Sequence, residues 1–274
     1  MELDTQVLTC RHNGKDLPVY VARPAMVDSP LPAVIVIQEI FGVDDHIEDV
    51  VHRFAAAGYT AVTPDLYALG GQRPEAMTRE RIASLRAFLR TLPLQSWMDP
   101  DARAEALKEM PETERNNIEE TLGILFSPNR DMDGYASQVS SVVQWLSSSD
   151  APEVRKIGCT GFCFGGGVTA LAACIEPKLS AAVIFYGNSP DPEKVDGIGC
   201  PVLGLYGGED ARVNDSVPAF TEAMNQAGKS FEPHFYSGAP HAFFNDTNYT
   251  YRVEAARDAW ARTLSFFTEH LSPV

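Results

Sequence analysis

No stretch of this chain approaches the run of about 18 apolar residues that a membrane-spanning helix needs. The first ten residues, MELDTQVLTC, hold no basic group ahead of an apolar segment, so neither a membrane span nor a secretory leader is expected. Positive charge is in short supply: 22 Lys and Arg stand against 37 Asp and Glu, for a net charge of −15. That balance argues against nucleic acid or an anionic membrane as a partner, and it repels anionic small molecules unless a local basic patch compensates. Cysteine is sparse and odd in number, at Cys10, Cys159, Cys163, Cys174 and Cys200. The spacing forms neither zinc-type pairs nor a small disulfide framework, and a reducing cytoplasm is the expected setting. Internal repeats and low-complexity tracts are missing as well.

What is present is ordinary globular material, 45% hydrophobic and 22% charged over 274 residues, enough for one large domain, 1–274, with a sizeable core. Strand-like runs at Val19–Ala22, Ala33–Ile37, Thr60–Thr63, the segment before Cys163, Ala181–Tyr186, Val202–Tyr206 and Phe231–Tyr236 alternate with helical patterns. The helices are expected at Asp45–Ala57, Val139–Ser147, after Cys163, Pro218–Ala227 and Tyr251–Leu271. This alternation predicts an α/β fold, a mainly parallel central sheet with helices on both faces. Met77 to Phe126 differs: it is helical in pattern, broken by Pro93, Pro100 and Pro111 and without a strand signal, and it reads as a helical excursion at about 77–126.

The chemistry concentrates in Lys156 to Gly167, KIGCTGFCFGGG. A short apolar run ends in Gly161-Phe162-Cys163-Phe164-Gly165 and a helix pattern follows at once. This is the nucleophile-elbow pattern of the α/β-hydrolase fold with cysteine in the serine position. The turn is tight enough that the residues two before and two after the nucleophile must lack side chains, which Gly161 and Gly165 satisfy. At the first turn of a helix Cys163 also meets N–H groups and the positive dipole end, both of which favour thiolate.

A cysteine acyl-transfer enzyme needs an imidazole and a group to orient it, in this fold in the chain order nucleophile, acid, base. The run Pro201–Tyr206 ends in Gly207-Gly208-Glu209-Asp210, on the edge where open α/β sheets place their sites. Asp210 is the expected acid, with Glu209 and Asp215 as lesser candidates. The Phe231–Tyr236 strand leads into Ser237-Gly238-Ala239-Pro240-His241, and His241 is the expected base. His12, His46, His52, His234 and His270 are the other histidines. The strand Pro32–Gln38 ends in Glu39-Ile40-Phe41-Gly42, and the loop after that strand supplies one oxyanion N–H while the residue after the nucleophile supplies the other. The expected donors are the backbone N–H groups of Ile40 and Phe164.

Gln38 to Gly42 (QEIFG), Ala56 to Tyr67 (AAGYTAVTPDLY), Gly161 to Gly166 (GFCFGG) and Gly238 to Phe243 (GAPHAF) together resemble the dienelactone hydrolase family, from about Val19 to the C-terminal helix. The resemblance implies a triad of Cys163, Asp210 and His241, with Glu39 as a fourth active-site residue that contacts the resting thiol and is displaced by substrate. Members that hydrolyse the dienelactone carry an arginine shortly after the histidine to hold the substrate carboxylate. Here Asn245 stands in that region, and it cannot offer a charged fork, so neutral esters or lactones are the expected substrates unless Arg73, Arg79, Arg81 or Arg86 serves instead. Phe41, Tyr67, Phe162, Phe164, Tyr186, Phe243 and Phe244 are available to build an apolar acyl pocket.

The expected activity is hydrolysis of a small-molecule lactone or activated ester through a thioester acyl-enzyme, with no metal and no organic cofactor. A broad carboxylesterase or thioesterase is the alternative within the same chemistry. A non-catalytic ligand- or redox-sensing protein on the same fold is the alternative outside it.

Overall fold

Asn13-Gly14 closes an antiparallel hairpin between β1 (Leu3–His12) and β2 (Lys15–Pro24), with His12 opposite Lys15. Both turn residues have positive φ, 49° and 76°, as a two-residue turn matched to the strand twist requires. The hydrophobic pattern alone marks only Val19–Ala22, because β1 is largely exposed and polar. The Asn-Gly pair was the legible sign of the longer hairpin.

The computed structural model describes residues 1–93, 96–97 and 99–272. The chain separates into two compact units, Met1–Gly71 with Met132–Val274, and Gln72–Asp131.

In the first unit β3 (Leu31–Ile37) runs through the core, its last five residues buried, as expected of a parallel strand covered on both faces. The helix α1 (Asp45–Ala56) starts where the Asp44 carboxylate accepts the Ile47 N–H at 3.2 Å, satisfying one of the donors a helix start leaves open. Its buried residues Ile47, Val50, Val51 and Phe54 repeat at the spacing of one helical face. After α1 comes β4 (Thr60–Pro64).

The longer regular elements in the described part of the second unit are helices: α2 (Arg79–Leu89), α3 (Pro100–Leu107) and α4 (Glu112–Leu125). The three prolines sit where helices tolerate them. Pro93 follows α2, Pro100 opens α3 behind the Asp99 cap, and Pro111 precedes α4. Thr121 of α4 donates to the Ala76 carbonyl at 2.8 Å and Arg81 of α2 to the Asn117 carbonyl at 2.9 Å.

The first unit resumes with α5 (Met132–Leu146), β5 (Val154–Phe162), α6 (Phe164–Ile175), β6 (Leu179–Phe185) and β7 (Val202–Gly207). It ends with α7 (Ala211–Asn214), α8 (Val217–Gln226), β8 (Phe231–Tyr236) and α9 (Val253–Leu271). The eight strands form one sheet in the order β1-β2-β4-β3-β5-β6-β7-β8. All neighbours from β4 to β8 are parallel, and β1 and β2 add an antiparallel edge. This is the α/β-hydrolase architecture. On one face Val34, Val36, Val183 and Leu205 pack with α1 and α9, where Phe54 lies 4.7 Å from Trp260 and 5.9 Å from Phe267. Each such buried aromatic contributes about 1.5–3 kcal/mol. Since β4 lies on one side of β3 and β5 on the other, crossovers leave β3 in opposite directions and open a crevice at the strand ends, where sites form in such sheets.

Candidate active site

Cys163 sits between β5 and α6 with φ 56° and ψ −114°. Such a backbone costs a non-glycine residue about 1–3 kcal/mol. Its neighbours hold it there: the Cys163 N–H donates to the Phe185 carbonyl at 3.0 Å, and the Gly167 N–H reaches the Cys163 carbonyl at 3.3 Å. A methyl on Gly161 would run into the Gly165 carbonyl, and one on Gly165 would lie 2.5 Å from the Ile37 oxygen. The glycines therefore let the start of α6 press directly against β3.

His241 Nε2 lies 3.1 Å from Cys163 Sγ, and Nδ1 lies 2.5 Å from Asp210 Oδ2. The acid is buried and follows β7, whereas Glu209 and Asp215 are exposed. The two loops are tied together by backbone bonds from Gly208 N–H to the Tyr236 carbonyl, 2.8 Å, and from Glu209 N–H to the Ala239 carbonyl, 3.0 Å. Burial alone pushes the His241 imidazole down, but the sulfur of Cys163 and the carboxylate of Asp210 outweigh it and raise it to about 10. The site thus favours the imidazolium form of His241 between the sulfur and the carboxylate. The other histidines are engaged elsewhere: His12 with Ser141, His52 with Tyr20, His46 and His234 near Asp246 and Asp258, and His270 against Phe266.

All five cysteines are free. Burial pushes the thiols of Cys10, Cys174 and Cys200 up to about 11 and that of Cys159 to about 12, so these four remain neutral near pH 7. Cys163 is half-buried, at the mouth of the elbow.

Ile40 and Phe41 occupy a turn closed by the Gly42 N–H on the Glu39 carbonyl at 3.1 Å, and both are half-buried. The Tyr67 hydroxyl donates to the Ile40 carbonyl at 2.9 Å and so anchors the segment that carries the Ile40 N–H. Phe164 opens α6, which points its backbone N–H out of the helix start. The rings of Tyr67, Phe164 and Tyr135 form one cluster, with Tyr135 5.1 Å from Phe164 and 6.0 Å from Tyr67. Tyr135, in the first turn of α5, carried no sequence signal.

Glu39 is buried, and its partners among the described residues are Tyr186, whose hydroxyl donates to Oε1 at 3.2 Å, and Asn245, whose amide donates to Oε2 at 2.7 Å. The resemblance placed Glu39 on the resting thiol; here both carboxylate oxygens are turned to these two donors. Asn245, expected among substrate contacts, is 2% exposed and committed to Glu39. Phe243 is also a correction to the expected pocket: it is fully buried 5.5 Å from Tyr186 and 4.9 Å from Tyr236. Phe162 and Phe244 likewise belong to the core, stacked at 5.3 Å, with Phe185 at 4.5 Å from Phe162. They seat the histidine loop. Tyr186, with φ 38°, packs edge-on to His241 at 5.2 Å.

Against known proteins, the profile of the dienelactone hydrolase family matches residues 17–271. The chain belongs to the dienelactone hydrolase family. A "putative carboxymethylenebutenolidase" of Saccharolobus solfataricus is 32% identical over 255 residues, covering 93% of this chain and 94% of that protein. A relative of the same name from Escherichia coli K12 is 34% identical over 269 residues, covering 94% and 84%. A crystal structure of a "putative dienelactone hydrolase" from Klebsiella pneumoniae superposes with a TM-score of 0.69 at 29% identity, over 98% of this chain and 100% of the other. This member of the dienelactone hydrolase family is accordingly a hydrolase of carboxylic ester or lactone bonds, with a small-molecule substrate. No helix among the described residues is long and apolar enough to cross a membrane.

Proposed function

We propose that the protein hydrolyses lactones or activated esters with Cys163 as nucleophile, passing through a thioester acyl-enzyme. The observation that carries this reading is the continuous path from Cys163 Sγ through the His241 ring to Asp210 Oδ2, at 3.1 Å and 2.5 Å. The thiolate adds to the carbonyl carbon, and the oxygen that gains the charge is met by the Ile40 and Phe164 N–H groups. Collapse breaks the carbon–oxygen bond, and the leaving alkoxide takes the proton of His241 Nε2. In a lactone that alkoxide stays attached to the acyl chain. His241 then takes a proton from water, the hydroxide attacks the thioester carbonyl, and the acid leaves with Cys163 regenerated. Asp210 keeps Nδ1 protonated and aims the ring throughout. A thiol nucleophile suits the reducing cytoplasm, where we place the protein.

Replacing Cys163 with Ala tests the reading. The small residue still fits the elbow, so the fold should persist while hydrolysis of p-nitrophenyl esters, lactones and dienelactone falls by roughly 10⁴-fold or more. Mass spectrometry of the wild-type protein mixed with a slow ester should show an acyl adduct on Cys163. Unchanged turnover in a homogeneous Cys163→Ala preparation refutes the assignment.

A further inference from the structure

Asn245 is oriented as well as placed. Its Oδ1 accepts both the backbone N–H of Thr247 at 3.0 Å and the Thr247 hydroxyl at 2.7 Å. An amide whose oxygen is so engaged must turn its NH2 the other way, and that NH2 meets Glu39 Oε2 at 2.7 Å. The second partner of Glu39, Tyr186, is held neutral: burial and the charges of Glu39 and Cys163 keep its hydroxyl well above the usual phenol range. Both donors are uncharged, and among the described residues no lysine or arginine pairs with Glu39. The carboxylate therefore meets no cationic side chain there, at a site 7% exposed, one phenol ring from His241. A carboxylate accepts about four hydrogen bonds, and two are supplied by the protein.

We infer that Asn245 is a specificity-determining residue: by holding Glu39, a carboxylate met only by uncharged donors, behind the Tyr186 ring that packs on His241, it makes the site turn away acyl groups that carry a carboxylate and favour neutral ones. Best of all are acyl groups with a hydroxyl or ammonium that can donate to Glu39. The inference rests on the proposed nucleophilic role of Cys163. It differs from the simple lack of a carboxylate receptor, because a lack is neutral whereas Glu39 actively repels. A guanidinium in place of the Asn245 amide would cancel that charge with a bidentate pair.

The test reads the charge felt at the thiol directly. Cys163 is modified with methanethiosulfonates bearing either an ammonium or a sulfonate, with Cys163→Ala as the blank for the four buried cysteines. The ratio of the two rates is compared with that of a small free thiol at the same salt. The expected wild-type ratio exceeds the free-thiol ratio by tenfold or more, and Glu39→Gln and Asn245→Arg should each remove about tenfold, or about 1.4 kcal/mol. In parallel, kcat/KM for a neutral phenyl ester over that for the size-matched succinate half-ester should be at least tenfold and should shrink in both variants; the quotient cancels any loss of rate common to both substrates.

A wild-type ratio equal to that of the free thiol overturns the inference. So does an excess that survives in both variants, which would belong to the overall charge of −15. Should Asn245→Arg fail to fold, Glu39→Gln preserves the shape and carries the test alone. Ester turnover that persists in Cys163→Ala would sink the nucleophile reading, whereas unchanged reagent ratios in Glu39→Gln sink only the present one.

Discussion

Substituting Gly165 by Ala should damage stability and catalysis together, because the methyl would enter the contact between the start of α6 and the end of β3. The added carbon would lie 2.5 Å from the Ile37 oxygen and closer still to that of Gln38, against a floor of 3.0 Å for real contacts. Relief requires a shift of about 0.5 Å or more, and both obstacles are backbone, so no side chain can rotate away. Overpacking typically costs about 1–3 kcal/mol, and a backbone clash belongs at the upper end. At about 2–4 °C per kcal/mol for a unit of this size, the melting temperature should fall by roughly 6–12 °C. The same shift separates Phe164 from Ile40, the two backbone donors proposed to meet the oxyanion, and losing one such donor costs roughly 100- to 1000-fold in rate. Calorimetry and initial rates on a p-nitrophenyl ester measure the two effects, kcat being expected to fall more than KM rises. Gly123→Ala in α4 serves as the control: nothing lies within 4 Å of its added carbon, and a helical Ala should add about 0.5–1 kcal/mol. A Gly165→Ala protein with wild-type melting temperature and kcat would refute the account of the elbow.

Since Cys163 and Asp210 raise His241 to about 10, the imidazolium persists through neutral pH, and kcat/KM should decline as pH rises through about 10; Asp210→Asn removes one of the two groups that raise it and should move this limb to lower pH. A pH–rate profile of both proteins checks it, the limb belonging to the thiol–imidazole pair as a whole, and coincident limbs would contradict it. Phe244→Ala should cost about 3–5 kcal/mol in urea unfolding, because the ring is buried between Phe185 at 4.9 Å and Phe162 at 5.3 Å; a loss under 1 kcal/mol would mean that the histidine loop is seated by something else.

Much of this was legible in the sequence wherever the signal is local. The elbow glycines flank Cys163 within four residues, and Asp210 and His241 each follow a strand end, so turn chemistry and apolar runs locate them. The α/β layering follows from the same alternation. What escaped depends on the path of loops. Glu39 and Asn245 are 206 residues apart in sequence, and their contact arises because Ala242, at φ 59°, turns the histidine loop back over the end of β3. From the sequence Phe243 reads as a pocket wall because it lies near the proposed site. The same turn sends it inward against Tyr236, and Phe244 against Phe162. The hairpin strand β1 escaped for the opposite reason: paired at the sheet edge and mostly exposed, it has little hydrophobic pattern to show.

Strands β3 and β5 are neighbours, with Leu31 opposite Val154, although β4 and the helical unit Gln72–Asp131 lie between them in the chain. Equilibrium is forgiving of such an insertion, since each doubling of the intervening length adds only about 0.6 kcal/mol to closure. Kinetics are not, because pairing across a long separation is what slows folding. During synthesis the hairpin, β3, α1 and β4 emerge well before β5 exists to complete the sheet, and Asp210 and His241 emerge later still. The loop that carries the proposed Ile40 donor is thus made long before Cys163, and no N-terminal fragment ending before β8 contains His241. The regain of esterase activity on refolding therefore times the last closure of the sheet, a later event than the return of helical circular dichroism.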